Sequence, residues 1–145
     1  EIIPERIGLI GRSLGGYYGP RAAALDHRIK ALAVWGAFYD LSNYASIPAH
    51  TLEGFIYVTG SKNLDEALGY IHSINLEDVV SQIVCPMFIL HGGKDIVTPP
   101  SNATRLAQGA SGLVEMSMWP ESGHCNHDMA HFCRPAMADF LKDHL

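Results

Sequence analysis

Residues 6–15, RIGLIGRSLG, contain the stretch that decides the fold, an apolar run that leads directly into Gly11-Arg12-Ser13-Leu14-Gly15. Residues 6–11 have the composition of a buried strand, and residues 14–25 have that of the helix that follows it. A G-x-S-x-G motif between a strand and a helix is typical of a nucleophile elbow, a sharp turn that exposes the serine hydroxyl. We interpret the flanking glycines as the residues that permit this turn. The motif therefore predicts Ser13 as a nucleophile.

The rest of the chain continues the alternation of strand and helix. We predict strands at residues 29–38, 85–91 and 113–119, a helix at 99–109, and a closing helix whose apolar stripe covers residues 129–141, with a kink at Pro135. The pattern predicts an α/β fold with a mostly parallel sheet of about four strands flanked by helices.

Residues 41–83 interrupt this alternation. Asn43, Pro48, Gly54 and Gly60 divide the region, and short helical patches lie between them. We interpret the region as a lid-like insertion over the mouth of the sheet, within one domain that spans residues 1–145.

Composition excludes several classes of partner. The 145 residues carry a net charge of −5, and the ten basic residues are scattered singly, so we expect no nucleic-acid partner. No apolar run approaches the ~20 residues of a membrane span, so we expect no membrane partner. Three cysteines, an odd number, favour reduced thiols and a cytoplasmic location. A small-molecule substrate fits this composition best.

A serine nucleophile needs a histidine base, and the base needs a carboxylate that holds it in the right tautomer. Asp95 follows the third predicted strand in the sequence HGGKD, and His124 follows the fourth in PESGH. Ligands of open α/β sheets bind at the carboxyl edge of the strands, where both residues are expected. The order serine, acid, histidine matches this architecture. We therefore predict a catalytic triad of Ser13, Asp95 and His124.

His127 is the competing candidate for the base, because it lies in the same loop as His124. We prefer His124 because Gly123 frees the backbone next to it, and we place His127 in the closing helix.

Other residues near the site have less specific interpretations. His127 and His131 are four residues apart and could share a metal ion, but a solvated helix face explains them, and we expect neither metal nor cofactor. His91 precedes the acid and is interpreted as a structural residue. Cys125 is interpreted as a small buried side chain.

Acyl transfer also needs donors for the developing oxyanion. The backbone N–H of Leu14, directly after the nucleophile, is the predicted first donor. The second donor in this architecture comes from a loop after an earlier strand, which we expect outside this sequence.

With these residues in place, the sequence resembles the α/β-hydrolase superfamily over essentially all 145 residues, and it corresponds to the C-terminal half of that fold. The short blocks at residues 11–18, 20–24, 28–31, 35–36 and 38–40 are similar to a narrower group, which includes 2,6-dihydroxypseudooxynicotine hydrolase and the fungal yellowish-green-type hydrolases that shorten polyketides. The resemblance implies hydrolysis of a C–C bond in a ketone or polyketide-type substrate, with Ser13, Asp95 and His124 as nucleophile, acid and base.

That reaction must protonate a carbon leaving group, so Asp40 is considered as an accessory acid, although a loop cap is the favoured interpretation. Four aromatic residues are candidates for an apolar pocket, although core packing explains each of them equally well: Tyr17, Tyr18, Trp35 and Phe38.

Two other functions stay open. A carboxylesterase or peptidase of the same fold would use the same triad. A truncated, non-catalytic fragment would instead bind a partner through the bare apolar edge of its first strand. For the full-length protein we expect a homodimer.

Overall fold

The structure, a computed structural model, describes residues 3–41 and 49–145. Its strands are β1 (Ile7–Arg12), β2 (Ile29–Trp35), β3 (Met87–Gly92) and β4 (Val114–Trp119). Its α-helices are α1 (Gly15–Leu25), α2 (Ala49–Thr59), α3 (Leu64–Gly69), α4 (Pro100–Gly109) and α5 (Ala130–His144). Short 3₁₀ segments lie at Ile71–Ser73, Val80–Gln82 and His124–Met129.

Within the described residues the strands form one sheet in the order β1-β2-β3-β4, and every neighbouring pair is parallel. The predicted α/β fold is therefore confirmed. The second predicted strand is three residues too long, because the backbone leaves the sheet at Gly36, where φ is 77°.

Both faces of the two central strands, β2 and β3, are covered, as their apolar sequences require. Leu32 and Val34 of β2 pack into the cluster that includes residues of α1 and α4. Ala33 and Trp35, which point to the opposite face, pack with Cys133 and other residues of α5. The sheet is thus the middle layer between two helical layers.

Parallel strands place all their carboxyl ends at one edge of the sheet. Hydrogen bonds extend the ladder one residue beyond the strands: Ser13 N–H to Trp35 O (2.9 Å), Gly36 N–H to Leu90 O (2.8 Å) and Gly93 N–H to Trp119 O (2.7 Å). The turns that carry Ser13, Asp95 and His124 therefore all start at this edge from backbone that is already held in the sheet.

Between β2 and β3 the chain forms α2, α3 and a 3₁₀ turn, which we call the helical segment (residues 49–74). Two backbone stretches on either side of it in sequence, residues 39–40 and 75–76, lie side by side: Leu76 N–H donates to Tyr39 O at 3.1 Å, and Asp40 forms an antiparallel bridge with Asn75. We call this paired backbone the neck. The predicted breaks at Asn43 and Pro48 lie outside the described residues.

The start of the closing helix differs from the prediction. Cys125 and Asn126 have left-handed backbone, with φ of 52° and 45°, so the chain bends after His124 and α5 begins only at Ala130. His127 lies in the preceding 3₁₀ segment, and its placement in the helix was wrong. The helix continues through Pro135 to His144 without a break.

No helix within residues 3–41 and 49–145 combines the length and the apolar character needed to cross a membrane.

Candidate active site

Ser13 occupies the single residue position on which the chain turns from β1 into α1. Its φ is 54°, in the left-handed region, which costs a non-glycine residue roughly 1 kcal/mol. The turn is closed by Gly16 N–H, which donates to Ser13 O at 2.6 Å. The side chain is partly exposed.

The glycines around Ser13 differ in whether a larger side chain would fit at their positions. A Cβ atom on Gly11 would collide with the carbonyl oxygen of Gly15, whereas a Cβ on Gly15 would meet nothing within 4 Å. Gly16 is the second crowded position, because its Cβ would collide with the carbonyl oxygen of Gly36 at the end of β2. The interpretation of the flanking glycines therefore holds for Gly11 and was wrong for Gly15.

The structure brings Ser13, His124 and Asp95 together in one chain of hydrogen bonds. Ser13 Oγ lies 2.8 Å from His124 Nε2, and His124 Nδ1 lies 2.8 Å from Asp95 Oδ2. In the neutral tautomer with a proton on Nδ1, His124 donates to the carboxylate and presents the Nε2 lone pair to the serine hydroxyl. This arrangement can remove the proton from Ser13.

Asp95 is fully buried but well supplied with donors. Val97 N–H and Thr98 N–H donate to Oδ1 at 2.9 and 2.8 Å, and the Thr98 hydroxyl donates to Oδ2 at 2.8 Å. Burial alone would raise the pKa of Asp95, but the hydrogen bonds from His124 and Thr98 outweigh it and lower the pKa. The carboxylate therefore stays ionised beside the imidazole.

The hydrogen bond to Asp95 also raises the pKa of His124, from 6.5 to about 9. Partial burial of the ring opposes this shift without cancelling it. The same carboxylate that orients the ring thus favours its protonated form.

Gly92 and Gly93 explain how the acid and base loops come so close. A Cβ on Gly92 would collide with the carbonyl oxygens of Ser122 and Gly123, and one on Gly93 would lie 2.7 Å from Pro120. The glycine pair thus lets the loop after β3 lie against the loop that carries His124.

Sequence reasoning did not identify Thr98, which donates twice to Asp95. The spacing of an aspartate and a threonine three residues later, as in DIVT, is the signal that could have found it, since such side chains bond to nearby backbone. His91 supports the same loop: its Nδ1 accepts from Ala37 N–H at 3.0 Å, and its Nε2–H donates to Thr98 O at 2.8 Å. Burial lowers the pKa of His91 and keeps it neutral, in agreement with a structural role.

His124 is the histidine in contact with Ser13, whereas the ring of His127 contacts the Arg12 guanidinium, with Nη2 3.1 Å from Nδ1. The Arg12 guanidinium also lies 5.1 Å from the centre of the Trp35 ring. The reason given for preferring His124 was wrong, because Gly123 has a φ of −92° and room for a Cβ. The left-handed residues come after His124.

The alternative of a metal ion shared by His127 and His131 loses its geometric basis, because His127 precedes α5. In the described part of the chain, no group of three or more His, Cys, Asp or Glu side chains could hold a metal ion. Cys125 is fully buried, as predicted, with Sγ 3.4 Å from both Trp35 O and His124 Nε2.

Leu14 follows Ser13 at the amino end of α1. Its backbone N–H donates no hydrogen bond to any of the described residues. This N–H is therefore available to a carbonyl oxygen held next to Ser13, and its role as the first oxyanion donor stays a prediction.

Among the four candidate pocket residues, Tyr18 lines a groove formed by described residues. Tyr17, Trp35 and Phe38 are at most 6% exposed and belong to the core, which favours the core-packing alternative for these three. The groove has a volume of about 370 Å³ and lies between Leu14 and Tyr18 on one side and the helical segment on the other. The helical segment contributes Thr51, Gly54, Phe55, Val58, Thr59, Tyr70, Ser73 and Ile74.

Asp40 is held by residues of α4. Its carboxylate forms an ion pair with Arg105 of α4, and its backbone N–H donates to Asn102 Oδ1 at 3.1 Å. A carboxylate stabilised by a guanidinium is a poor proton donor. The structure therefore does not support Asp40 as an accessory acid.

The parallel sheet and the three strand-end residues define the class of this protein as the α/β-hydrolase fold. The sequence model of the prolyl oligopeptidase family matches residues 2–145, and the chain belongs to that family. The predicted superfamily is confirmed.

The chain is similar to 2,6-dihydropseudooxynicotine hydrolase of Paenarthrobacter nicotinovorans, with 36% identity over 140 residues that cover 96% of this chain and 38% of the relative. A crystal structure of 2,6-dihydroxy-pseudo-oxynicotine hydrolase matches with a TM-score of 0.92 and 36% identity, over 99% of this chain and 41% of the other. The chain thus spans about two fifths of the length of these relatives. The predicted resemblance to this group is confirmed.

More distant structures share the fold alone. Acetyl xylan esterase 1 from Thermoanaerobacterium sp. matches with a TM-score of 0.72 and 19% identity, over 98% of this chain and 47% of that one. The α/β-hydrolase GrgF from Penicillium sp. matches with a TM-score of 0.74 and 17% identity, over 98% and 65%.

Proposed function

We propose that this chain carries the catalytic residues of a serine hydrolase, with Ser13 as nucleophile, His124 as general base and Asp95 as the carboxylate that orients the base. The observation that carries the proposal is the continuous series of hydrogen bonds from Ser13 Oγ through His124 to the buried Asp95. The left-handed turn at Ser13 supports it, because strained backbone persists where surrounding structure holds it and is concentrated at active sites.

In the proposed reaction, Ser13 Oγ adds to a substrate carbonyl carbon while its proton passes to His124 Nε2. The Leu14 N–H donates to the resulting oxyanion, an interaction that is worth about 3 to 4 kcal/mol in well-studied hydrolases. Collapse of the tetrahedral adduct breaks the bond to the leaving group, which takes the proton from His124. Water, activated by the same imidazole, then releases the acyl group from Ser13.

The favoured substrate is a ketone or polyketide-type small molecule, in which the broken bond is a C–C bond. The 36% identity to a hydrolase of a pseudooxynicotine supports this choice. The leaving group is then a carbanion, and His124 is the donor that the geometry supports, since Asp40 is paired with Arg105. The groove between Leu14, Tyr18 and the helical segment is apolar enough to bind an acyl or aryl group. We propose that residues 41–83 act as the lid of this groove.

A carboxylesterase or peptidase is the second candidate. The observation that favours it is the match to the prolyl oligopeptidase family, and the same three side chains would serve either bond.

Labelling with a fluorophosphonate tests whether the serine is activated. We expect the full-length protein to be labelled, Ser13→Ala to lose the label, and Ser101→Ala, which changes an exposed serine of α4, to keep it. Absence of labelling in the unchanged protein would favour a non-catalytic fragment and overturn the proposal.

Two substrates then distinguish cleavage of a C–C bond from cleavage of an ester bond. The purified full-length protein is assayed with p-nitrophenyl esters and with an acylated phenol that bears a ketone. Cleavage of the ketone at a rate comparable to ester turnover is the expected result. Fast ester hydrolysis without ketone cleavage would reject the C–C reaction and support the second candidate.

A further inference from the structure

One side chain of α4, Arg105, contacts residues on both sides of the neck. Its guanidinium forms an ion pair with Asp40, which precedes the helical segment in sequence, and lies 3.3 Å from Glu77 Oε2, which follows it. The same guanidinium stacks 4.0 Å from the centre of the Tyr39 ring. Arg105 thus contacts both strands of the neck at once.

Asn102, one turn earlier on α4, strengthens this contact. Its Oδ1 accepts from Tyr39 N–H at 2.7 Å and from Asp40 N–H at 3.1 Å, and the residue is only 4% exposed. Buried hydrogen bonds of this kind are costly to lose, because they leave polar groups without partners. The backbone at the start of the neck is therefore fixed to α4 by Asn102, and the side chains around it by Arg105.

Arg105 places one positive charge between two carboxylates at the neck. Asp40 and Glu77 both contact its guanidinium, so loss of the charge would remove the cation that lies between them. Their repulsion would act directly between the entering and leaving strands. A neutral residue at position 105 should therefore loosen the neck, not merely remove one contact.

The neck lies directly next to one wall of the groove. Ile74, Ser73 and Tyr70 line the groove within five residues of Asn75, and Phe55 and Val58 line it from α2. These side chains face Leu14 and Tyr18, which belong to the turn and helix that follow the sheet edge. A change of angle at the neck would widen or close the groove while leaving the strand ends in place.

We infer that Arg105 is a positioning residue that sets the angle of the helical segment over Ser13 and so controls how tightly the apolar part of the substrate binds. The effect on binding rests on the proposed hydrolase function. The effect on the helical segment does not.

Hydrogen exchange tests the predicted effect of Arg105 on the helical segment. It is measured on the full-length protein, both unchanged and with Arg105→Gln, Arg105→Lys or Arg28→Gln. Arg28 pairs with Asp26 at an exposed site outside the neck and is the matched control. We expect amides of residues 49–74 to exchange about three- to tenfold faster in Arg105→Gln, less so in Arg105→Lys, which keeps the charge, and no change in Arg28→Gln. In the double variant Arg105→Gln, Glu77→Gln, exchange should be slower again, because the repulsion between the carboxylates at positions 40 and 77 is removed.

Enzyme kinetics test the functional part with p-nitrophenyl acetate and a p-nitrophenyl ester of a long acyl chain. Arg105→Gln should raise KM for the long ester about three- to tenfold, with kcat for the acetate and the rate of fluorophosphonate labelling of Ser13 unchanged.

Unchanged exchange in residues 49–74, or faster exchange throughout the sheet, would overturn the inference. So would an unchanged KM for the long ester, or slower labelling of Ser13 in Arg105→Gln. If no variant were labelled at all, the hydrolase proposal would fail, while the exchange of residues 49–74 would still decide the role of Arg105. If Arg105→Gln did not fold, Arg105→Lys would still have to show the intermediate exchange.

Discussion

The loops at the carboxyl edge of the sheet and the helical segment hold their side chains in opposite ways. At the edge, the Asp95 side chain is completely buried and each of its oxygens accepts two hydrogen bonds. In the helical segment, Val58 is 75% exposed and Tyr70 is 52% exposed although both line the groove. The edge is fixed by buried hydrogen bonds, whereas the segment combines buried side chains such as Ile71 with exposed side chains along the groove.

This difference indicates a division of tasks. Proton transfer requires atoms placed to within a few tenths of an ångström, which buried hydrogen-bonded loops provide. Binding of an apolar group tolerates a looser wall, because the hydrophobic effect depends on area and has no direction. Substitutions at the edge should therefore lower the rate of the chemical step, and substitutions in the segment should weaken substrate binding.

The largest expected effect comes from the base. His124→Ala should lower kcat/KM for an ester by about 10⁴-fold or more, because Ser13 loses its proton acceptor. His127→Ala, in the same 3₁₀ segment, is the control and should lower it less than about threefold. Steady-state kinetics of the full-length variants check this, and the reverse result would assign the base to His127.

The pH dependence should be the next largest effect. Only neutral His124 accepts a proton, so kcat/KM should rise with pH and level off above about 9, by roughly 10²-fold between pH 6.5 and the plateau. The stability effect has the opposite sign: because the folded pKa is raised above 6.5, the pairing with Asp95 stabilises the fold below pH 6.5 and is lost as the pH rises through about 9.

A pH–rate profile and thermal melts across the same range check both signs. A profile that levels off near 6.5 would contradict the strong coupling of His124 to Asp95.

Removal of one support of the acid should have a smaller effect. Thr98→Val deletes the hydroxyl that donates to Asp95 Oδ2, and we expect kcat to fall about tenfold as the carboxylate loses orientation. Thr104→Val, at an exposed position of α4, is the matched control and should leave kcat unchanged. A rise in KM without loss of kcat would show that Thr98 acts on binding instead.

The smallest effect is expected in the wall of the groove. Val58→Ala should raise KM for a long-chain ester about threefold and leave the acetate unaffected, because it removes apolar area from one wall. Tyr57→Ala, whose side chain is 89% exposed on the same helix, is the control. Equal effects of the two substitutions would mean that the groove does not bind substrate.

Local sequence patterns predicted the sheet and the candidate triad for a common reason. In a parallel sheet, whatever follows an apolar strand lies at the carboxyl edge, so Ser13, Asp95 and His124 could be placed together without coordinates. The boundaries were less accurate where backbone conformation decides them, at Gly36 and at the left-handed residues Cys125 and Asn126. Such conformations depend on tight contacts with other loops, which sequence patterns do not contain.

The pocket residues were harder to predict, because an aromatic side chain in an apolar stretch fits a core and a pocket equally well. Tyr17 and Tyr18 are adjacent in sequence, yet one is 5% exposed in the core and the other 54% exposed in the groove. One step along a helix turns the side chain by about 100°, so neighbours point in different directions.

By itself, therefore, the sequence determined the fold class, the order of the strands' carboxyl-terminal residues and the identity of the three residues that meet there. It did so because the spacing of apolar residues and the positions of turn residues are visible within short stretches of the chain. The tertiary structure decided the supports: Thr98 and His91 behind the acid, Gly92 and Gly93 between the loops, and Arg105 across the neck. Their roles come from atoms brought together from separate parts of the chain, as Asp40, Glu77 and Arg105 are, and only packing brings such atoms together.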